Sequence, residues 1–192
     1  MQENSEDRNE EYSYVLDFMF TGKSSSTRTE PLAQLMGANW FTLLEATTKD
    51  NAMLTIGEKV YIGQGERDKI SLIKSRVSYN ELTQTSKSNM PAIIIKIIKD
   101  DEKRFVNVFN TAGSVNIRQH SLELLPGIGK KHLNAILKER SAKPFESFAD
   151  ITNRIPLLQD PVKLIEERII EELQGEQRFY LFVKPYFHKR QY

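Results

Sequence analysis

From Tyr12 the apolar residues fall on every second position. Tyr12, Tyr14, Leu16, Phe18 and Phe20 share one face, the period of a half-buried strand. Further strands are expected at Trp40–Thr47, Glu58–Gly63 and Ile70–Tyr79, separated by the turn-rich pieces Lys49-Asp50-Asn51 and Gly63-Gln64-Gly65. Between the first two strands lie the polar segment Lys23–Arg28, read as flexible, and a short segment from Pro31 to Met36. Four or five short strands within residues 12–80 predict a small, strongly bent antiparallel sheet, an OB-like β-barrel. A barrel of this kind either holds a single strand on one face or is purely structural, and the sequence weighs the two equally.

The period then changes. Pro91-Ala92-Ile93-Ile94-Ile95-Lys96-Ile97-Ile98 has strand composition, but Ile94, Ile98, Asp101, Phe105, Val108 and Phe109 follow helical spacing and Pro91 suits a first turn. The reading is a helix over about 91–110 within a linking segment, residues 81–114, with a hairpin turning at Asp100-Asp101 as the alternative.

In residues 115–192 helical patterns meet at tight corners. Leu122 and Leu125 share a face before Pro126-Gly127-Ile128-Gly129, and Leu133, Ile136 and Leu137 recur at i, i+3, i+4 after it. This reads as a helix-hairpin-helix, a module that grips nucleic-acid backbones. Gly127 and Gly129 can take positive φ and permit close backbone approach. The second helix opens with unpaired N–H groups, and Lys130 and Lys131 add charge where the helix dipole already favours a phosphate. The bland alternative is a sharp corner followed by two solvated lysines.

A second corner follows the first. Ser147 and Asp150 have capping spacing for a short helix ending before Pro156. Asp160 caps another with Pro161 at its first position, and Val162, Ile165, Ile169 and Leu173 form the apolar stripe up to Gly175. Leu157-Leu158-Gln159-Asp160-Pro161 replaces the glycine turn, so the hairpins are tandem and the second is degenerate. The expected α+β architecture is therefore a small OB-like barrel followed by a helical domain. The phosphate contacts are assigned to Pro126, Gly127, Ile128, Gly129, Lys130 and Lys131, with Lys163, Lys59, Arg67 and Lys69 as secondary candidates.

Charge alters this picture little. The formal charge is +1, but residues 1–14 carry −4 and the remainder +5, so residues 1–11 read as a disordered acidic tail. There is no cysteine, hence no disulfide or thiolate metal site, which suits a reducing cytoplasm. No apolar run approaches the roughly 20 residues that span a bilayer, and no signal peptide is visible. Gly63-Gln64-Gly65 lacks the rest of a dinucleotide fingerprint, and no phosphate-binding loop ends in Lys-Ser or Lys-Thr. His120, His132 and His188 are too scattered for a metal site, and His132 reads as a helix-surface residue. Asp100, Asp101 and Glu102 read as a charged surface turn. Glu139, Glu146 and Asp150 give weak support to glycosylase chemistry, so no catalytic residue, cofactor or metal is assigned.

Glu30-Pro31-Leu32-Ala33-Gln34, Phe41-Thr42-Leu43-Leu44-Glu45, Val60–Ile70 and Leu124–Lys131 resemble an archaeal uncharacterised family, domain of unknown function 655. The resemblance covers nearly the whole chain. It implies an OB-like domain joined to a helix-hairpin-helix domain and an RNA- or DNA-binding role, and the family's association with translation and RNA-processing genes points to RNA. The expected function is non-enzymatic nucleic-acid binding. The alternative is a protein-interaction adaptor, whose hairpins pack on a ribosomal, transcription or RNA-processing partner.

Overall fold

The computed structural model describes residues 10–21 and 30–185. Nearly all of the acidic start, the Lys23–Arg28 segment and His188 lie outside the described residues. Two compact units are present. The first takes the residues up to Ile93, Leu173–Gly175 and those from Phe182 onward; the second takes Ile94–Glu172 and Glu176–Leu181.

In the first unit, β1 (Tyr12–Met19), β2 (Leu32–Gly37), β3 (Leu43–Thr48), β4 (Lys59–Tyr61) and β5 (Ile70–Arg76) form one antiparallel sheet in the order β4-β1-β2-β3-β5. The register slips between Val15 and Asp17, between Glu45 and Ala46, and between Thr47 and Thr48. Such bulges bend a strand and strengthen its twist. The result is a curled half-barrel, with β4 and β5 at its two edges. Val15, Ala33, Leu35, Leu44, Ala46, Leu54, Val60, Ile62 and Ile70 form its apolar core.

β2 is a correction to the sequence reading, which left Pro31–Met36 as a short segment of no assigned type. All six residues of β2 are buried, and a strand covered on both faces shows no polar alternation. Gln34, fully buried in β2, is the polar exception. Its Nε2 donates to Glu45 Oε1 (2.9 Å) and Glu81 O (3.2 Å), and its Oε1 accepts from Thr83 N (2.9 Å) and Ser86 Oγ (2.7 Å). One amide thereby joins two strands to the residues that start the following helix.

That helix, α1 (Gln84–Asp100), begins seven residues before the expected start, so Pro91 lies in its interior. The long helix of the sequence reading is also divided. Asp101, at φ −132° and ψ 49°, breaks the ladder before α2 (Glu102–Thr111), and its carbonyl accepts from Arg104 N at 3.1 Å. Two charged positions at the break remove any apolar pull to continue one straight helix.

The second unit adds a short ribbon that the sequence reading missed, β6 (Ser114–Asn116) and β7 (Gln119–His120), and a 3-10 turn at Ser121–Leu124. α3 (Lys130–Ala142), α4 (Phe148–Arg154) and α5 (Pro161–Gln174) follow. Their caps agree with the sequence: Ser147 Oγ accepts from Asp150 N (3.0 Å) and Asp160 Oδ1 from Val162 N (3.0 Å). Arg140 closes the end of α2 by donating to the Phe109 and Ala112 carbonyls (3.0 and 2.9 Å). A buried pair, Arg168 Nε to Glu172 Oε1 at 2.8 Å, holds the residues after α5, since Arg168 also donates to Phe179 O and Glu172 accepts from Leu181 N (2.7 Å).

Gln34→Ala is expected to cost about 2–4 kcal/mol, because it removes four buried or part-buried hydrogen bonds at once, including one to the buried Glu45 carboxylate. Urea unfolding of the variant against the parent measures it, and a loss below about 0.5 kcal/mol, the range of an ordinary surface change, would contradict this role.

Candidate nucleic-acid interface

The hairpin at Leu125–Lys131 is held from beneath by apolar anchors. Leu122, Leu125, Ile128, Leu133 and Ile136 are all buried. Ile128 N donates to Leu125 O (3.1 Å) and Leu125 N to Leu122 O (3.2 Å), which closes two successive tight turns. The element before the corner is thus the 3-10 turn Ser121–Leu124, where the sequence suggested a longer helix. The apolar face it needs is supplied by Leu122 and Leu125 alone.

The two glycines have different tasks. Gly127 adopts φ +79°, and a Cβ there would sit 3.3 Å from Gln159 Oε1 and 3.7 Å from Leu164 Cδ2. It is a packing glycine against the second hairpin and α5. Gly129, at φ −89°, has an ordinary backbone, and a Cβ there would meet nothing within 4 Å. It occupies the N-cap of α3 with no side-chain cap, and the first intrahelical bond arrives only with Leu133 N to Gly129 O (2.9 Å). Open space therefore stands before the unbonded first amides of α3. Gly129 is the position where a phosphate can approach the backbone.

The cations are not equivalent either. The Lys130 side chain is 69% exposed, yet its Nζ pairs with Glu123 at 2.8 Å. Glu123 Oε2 also accepts from His120 N (2.9 Å), and the Lys130 bond followed by this amide holds its carboxyl below the usual range. Lys131 is exposed, and no ion pair of Lys131 is found among the described residues. Sequence reasoning missed Glu123 as a counter-ion, although its place in the turn before the hairpin was visible. His132, read as an ordinary surface residue, has Nδ1 3.2 Å from Gly127 O and so braces the loop. Burial, then the Arg140 charge, lowers the pKa of His120, whose Nδ1 accepts from Leu122 N (3.2 Å).

The second hairpin repeats the first backbone. Ile155, Pro156, Leu157 and Leu158 stand where Leu125, Pro126, Gly127 and Ile128 do, with Leu157 at φ +65° and Leu158 N donating to Ile155 O (3.4 Å). Leu158 is buried as Ile128 is, while Leu157 is 86% exposed. Asp160 caps α5 one residue further from its turn than Gly129 stands before α3, with Gln159 interposed, and this corner presents a carboxylate rather than open amides. Lys163 is paired with Glu166 (3.1 Å). In the first unit Lys69 is bonded to Glu58 and to Met53 O, Lys59 Nζ lies 4.9 Å from the Tyr12 ring centre, and Arg67 Nε donates to Gly63 O (2.9 Å). The six hairpin residues are contiguous in sequence and the structure adds none of the secondary candidates to them: Lys59, Arg67, Lys69 and Lys163 carry local structural partners.

Among the described residues no helix is long and apolar enough to cross a membrane, and no cluster of three or more His, Asp or Glu has the arrangement of a metal site. A curled antiparallel half-barrel with a second, helical unit defines a mixed α+β protein. The chain belongs to the family described as protein of unknown function (DUF655), whose model matches residues 9–184. It is 40% identical over 185 residues to the uncharacterized protein MJ0038 of Methanocaldococcus jannaschii, covering 95% of this chain and 84% of that one. It is also similar to the crystal structure of Af1531 from Archaeoglobus fulgidus, at 46% identity and a TM-score of 0.85, over 91% of this chain and all of the other.

The glycines give one test of this geometry. Gly127→Ala is expected to cost about 1–2 kcal/mol, from positive φ and the crowding at Gln159, while Gly129→Ala changes stability by no more than about 0.5 kcal/mol. Thermal unfolding of both variants checks the contrast. A second test is pH. Both Glu123 and His120 have folded pKa values depressed below the ordinary 4.5 and 6.5, so their contributions are present above those values and are lost as pH falls through the folded ones. NMR titration is expected to place both midpoints below the ordinary values, with the protection of the Leu122 amide, taken relative to its intrinsic exchange rate, falling as His120 protonates and its Nδ1 stops accepting.

Proposed function

We propose that this is a non-enzymatic nucleic-acid-binding protein of the cytoplasm. It grips a phosphate with the Pro126–Lys131 corner, read as the working member of a tandem helix-hairpin-helix pair. The single observation that supports it most is Gly129: an uncapped helix start facing open space, beside exposed lysines. The amides of Gly129, Lys130 and Lys131 would donate to the phosphate oxygens, with Lys131 as the main neutralising charge. Lys130 contributes when it exchanges its carboxylate partner for the phosphate. RNA is preferred over DNA in this reading, as the family resemblance implies, and the curled sheet, read as an OB-like half-barrel, gives a neighbouring strand a second surface. Contacts of this kind position a protein without reading bases.

The second reading is an adaptor that docks a ribosomal or RNA-processing protein. One observation favours it: Leu157 holds a positive φ that leucine disfavours and is 86% exposed, an apolar tip on the degenerate hairpin.

Fluorescence anisotropy with duplex DNA, duplex RNA and single-stranded RNA at two salt concentrations tests the proposal. Affinity is expected to fall with salt by about 0.9 log units per log unit of salt for each phosphate neutralised on B-DNA, and about 0.7 on single strands. The Lys130→Ala/Lys131→Ala pair and Gly129→Ala lose binding without unfolding. Glu123→Gln, by freeing Lys130, strengthens it. No salt-dependent binding to any of the three polymers, together with nuclease-resistant co-migration of a protein partner, selects the adaptor.

A further inference from the structure

We propose that the cavity of about 360 Å³ on the first unit binds a nucleoside phosphate, the chemistry shared by a free mononucleotide and the end of a phosphorylated strand. The cavity belongs to a different unit from the hairpin, and the inference stands independently of the hairpin's role. Its volume lies in the range of small-ligand sites.

The lining divides by chemistry. Leu44, Ile62 and Ile73 supply an apolar floor, and Arg67, Arg76 and Lys184 supply three cations. One acid, Glu10, faces them, and its carboxylate accepts from Asn39 N (2.8 Å), Trp40 N (2.8 Å) and Thr42 N (3.2 Å). Its carboxylate is occupied by these three amides and the cations of the lining outnumber it three to one, so the cavity favours an anion. An apolar floor under a guanidinium-rich edge fits a flat ring carrying a phosphate better than it fits a bare ion, because arginine forks match phosphate oxygens.

Two features show that the edge is built and not incidental. The strand-end loop Gly63-Gln64-Gly65 is wrapped on Tyr61: a Cβ on Gly63 would collide with the Tyr61 ring, and Gly65 N donates to the Tyr61 hydroxyl (3.1 Å). Arg67 then fastens the loop by donating to Gly63 O, and Arg76 fastens the opposite side by donating to Lys184 O. The turn that carries Thr42 is also strained, since Phe41 is fully buried at φ +52°, a conformation costly for an aromatic residue. The glycine loop that matches no dinucleotide fingerprint thus acquires a use as one lip of this cavity.

Titration calorimetry of the intact protein with AMP, UMP and inorganic phosphate, alongside a short RNA with a 5′-phosphate or a 5′-hydroxyl, tests the inference. Trp40, the chain's only tryptophan, is bonded through its backbone to Glu10 and Lys184 and serves as a fluorescence reporter. Saturable binding of a mononucleotide is expected, weakened about tenfold in Arg67→Ala and in Lys184→Ala and unchanged in Lys130→Ala/Lys131→Ala. Competition between AMP and the 5′-phosphorylated RNA, absent with the 5′-hydroxyl RNA, identifies the strand end as the source. Binding of the mononucleotide alone identifies the free nucleotide. No heat with any nucleotide in a folded protein, phosphate binding as well as AMP, or loss of binding in the hairpin variant and not in Arg67→Ala would each overturn the assignment.

Discussion

A loop whose backbone stands open at the start of a helix has to be fixed from the inside, and here the burial of Leu125 and Ile128 on either side of Gly127 does so. Each apolar side chain anchored this way contributes roughly 1.5–3 kcal/mol, so the two together offset the backbone entropy of Pro126 and Gly127 between them. Gly127 is the residue that lets both anchors point inward at once, since the chain must reverse at φ +79° to do it. Everything functional at the corner is downstream of that reversal. The unbonded amides of α3, the open space at Gly129 and the exposure of Lys131 all exist because the chain turned there and nowhere else.

The repeated hairpin supports this order of causes. Leu157 keeps the positive φ of Gly127, and Leu158 keeps the buried anchor of Ile128, although the residue types at the tip differ. The fold of the second corner therefore survives a leucine in a conformation that costs it about 1–2 kcal/mol. What does not survive is the open helix start, which Asp160 closes with its own carboxylate. The packing of the corner and the openness of the helix start that follows it are thus separable. Two copies with the same skeleton, one open and one closed, are what such separation looks like.

The legibility of the sequence followed the same division. Short-range signals were readable: Ser147 and Asp160 as caps, Pro161 at a first turn, the glycine corner itself, and the presence of β1, although its expected half-buried alternation is not kept, since Ser13–Asp17 are all buried and Tyr12 and Phe20 are exposed. Features set by distant neighbours were not. β2 hid because both of its faces are covered, and α1 hid its true start because Gln84–Met90 is fixed by Gln34 and Thr83 rather than by an apolar stripe. The ribbon β6–β7 consists of five residues in all, too few to show a period. In the candidate site the glycines and lysines were legible as types, but the pairing of Lys130 with Glu123 was not. An ion pair across a turn leaves no periodic trace.

That pairing decides how the hairpin's charge should be weighed. A protein whose residues after the first 14 carry only +5 does not attract a polyanion by its overall field, so under the proposed function a local grip would have to do the binding. Lys130 is held by Glu123 in the unliganded corner, where the carboxylate both stabilises the turn through His120 N and masks one positive charge. A pair whose lysine stands largely in solvent is weak enough for a phosphate that also collects backbone amides to displace it. The carboxylate then acts as a filter. A ligand offering charge alone gains little over Glu123, whereas one that fits the amides before α3 gains both the lysine and the helix end. Shape at the corner, rather than total charge, sets what this hairpin would hold.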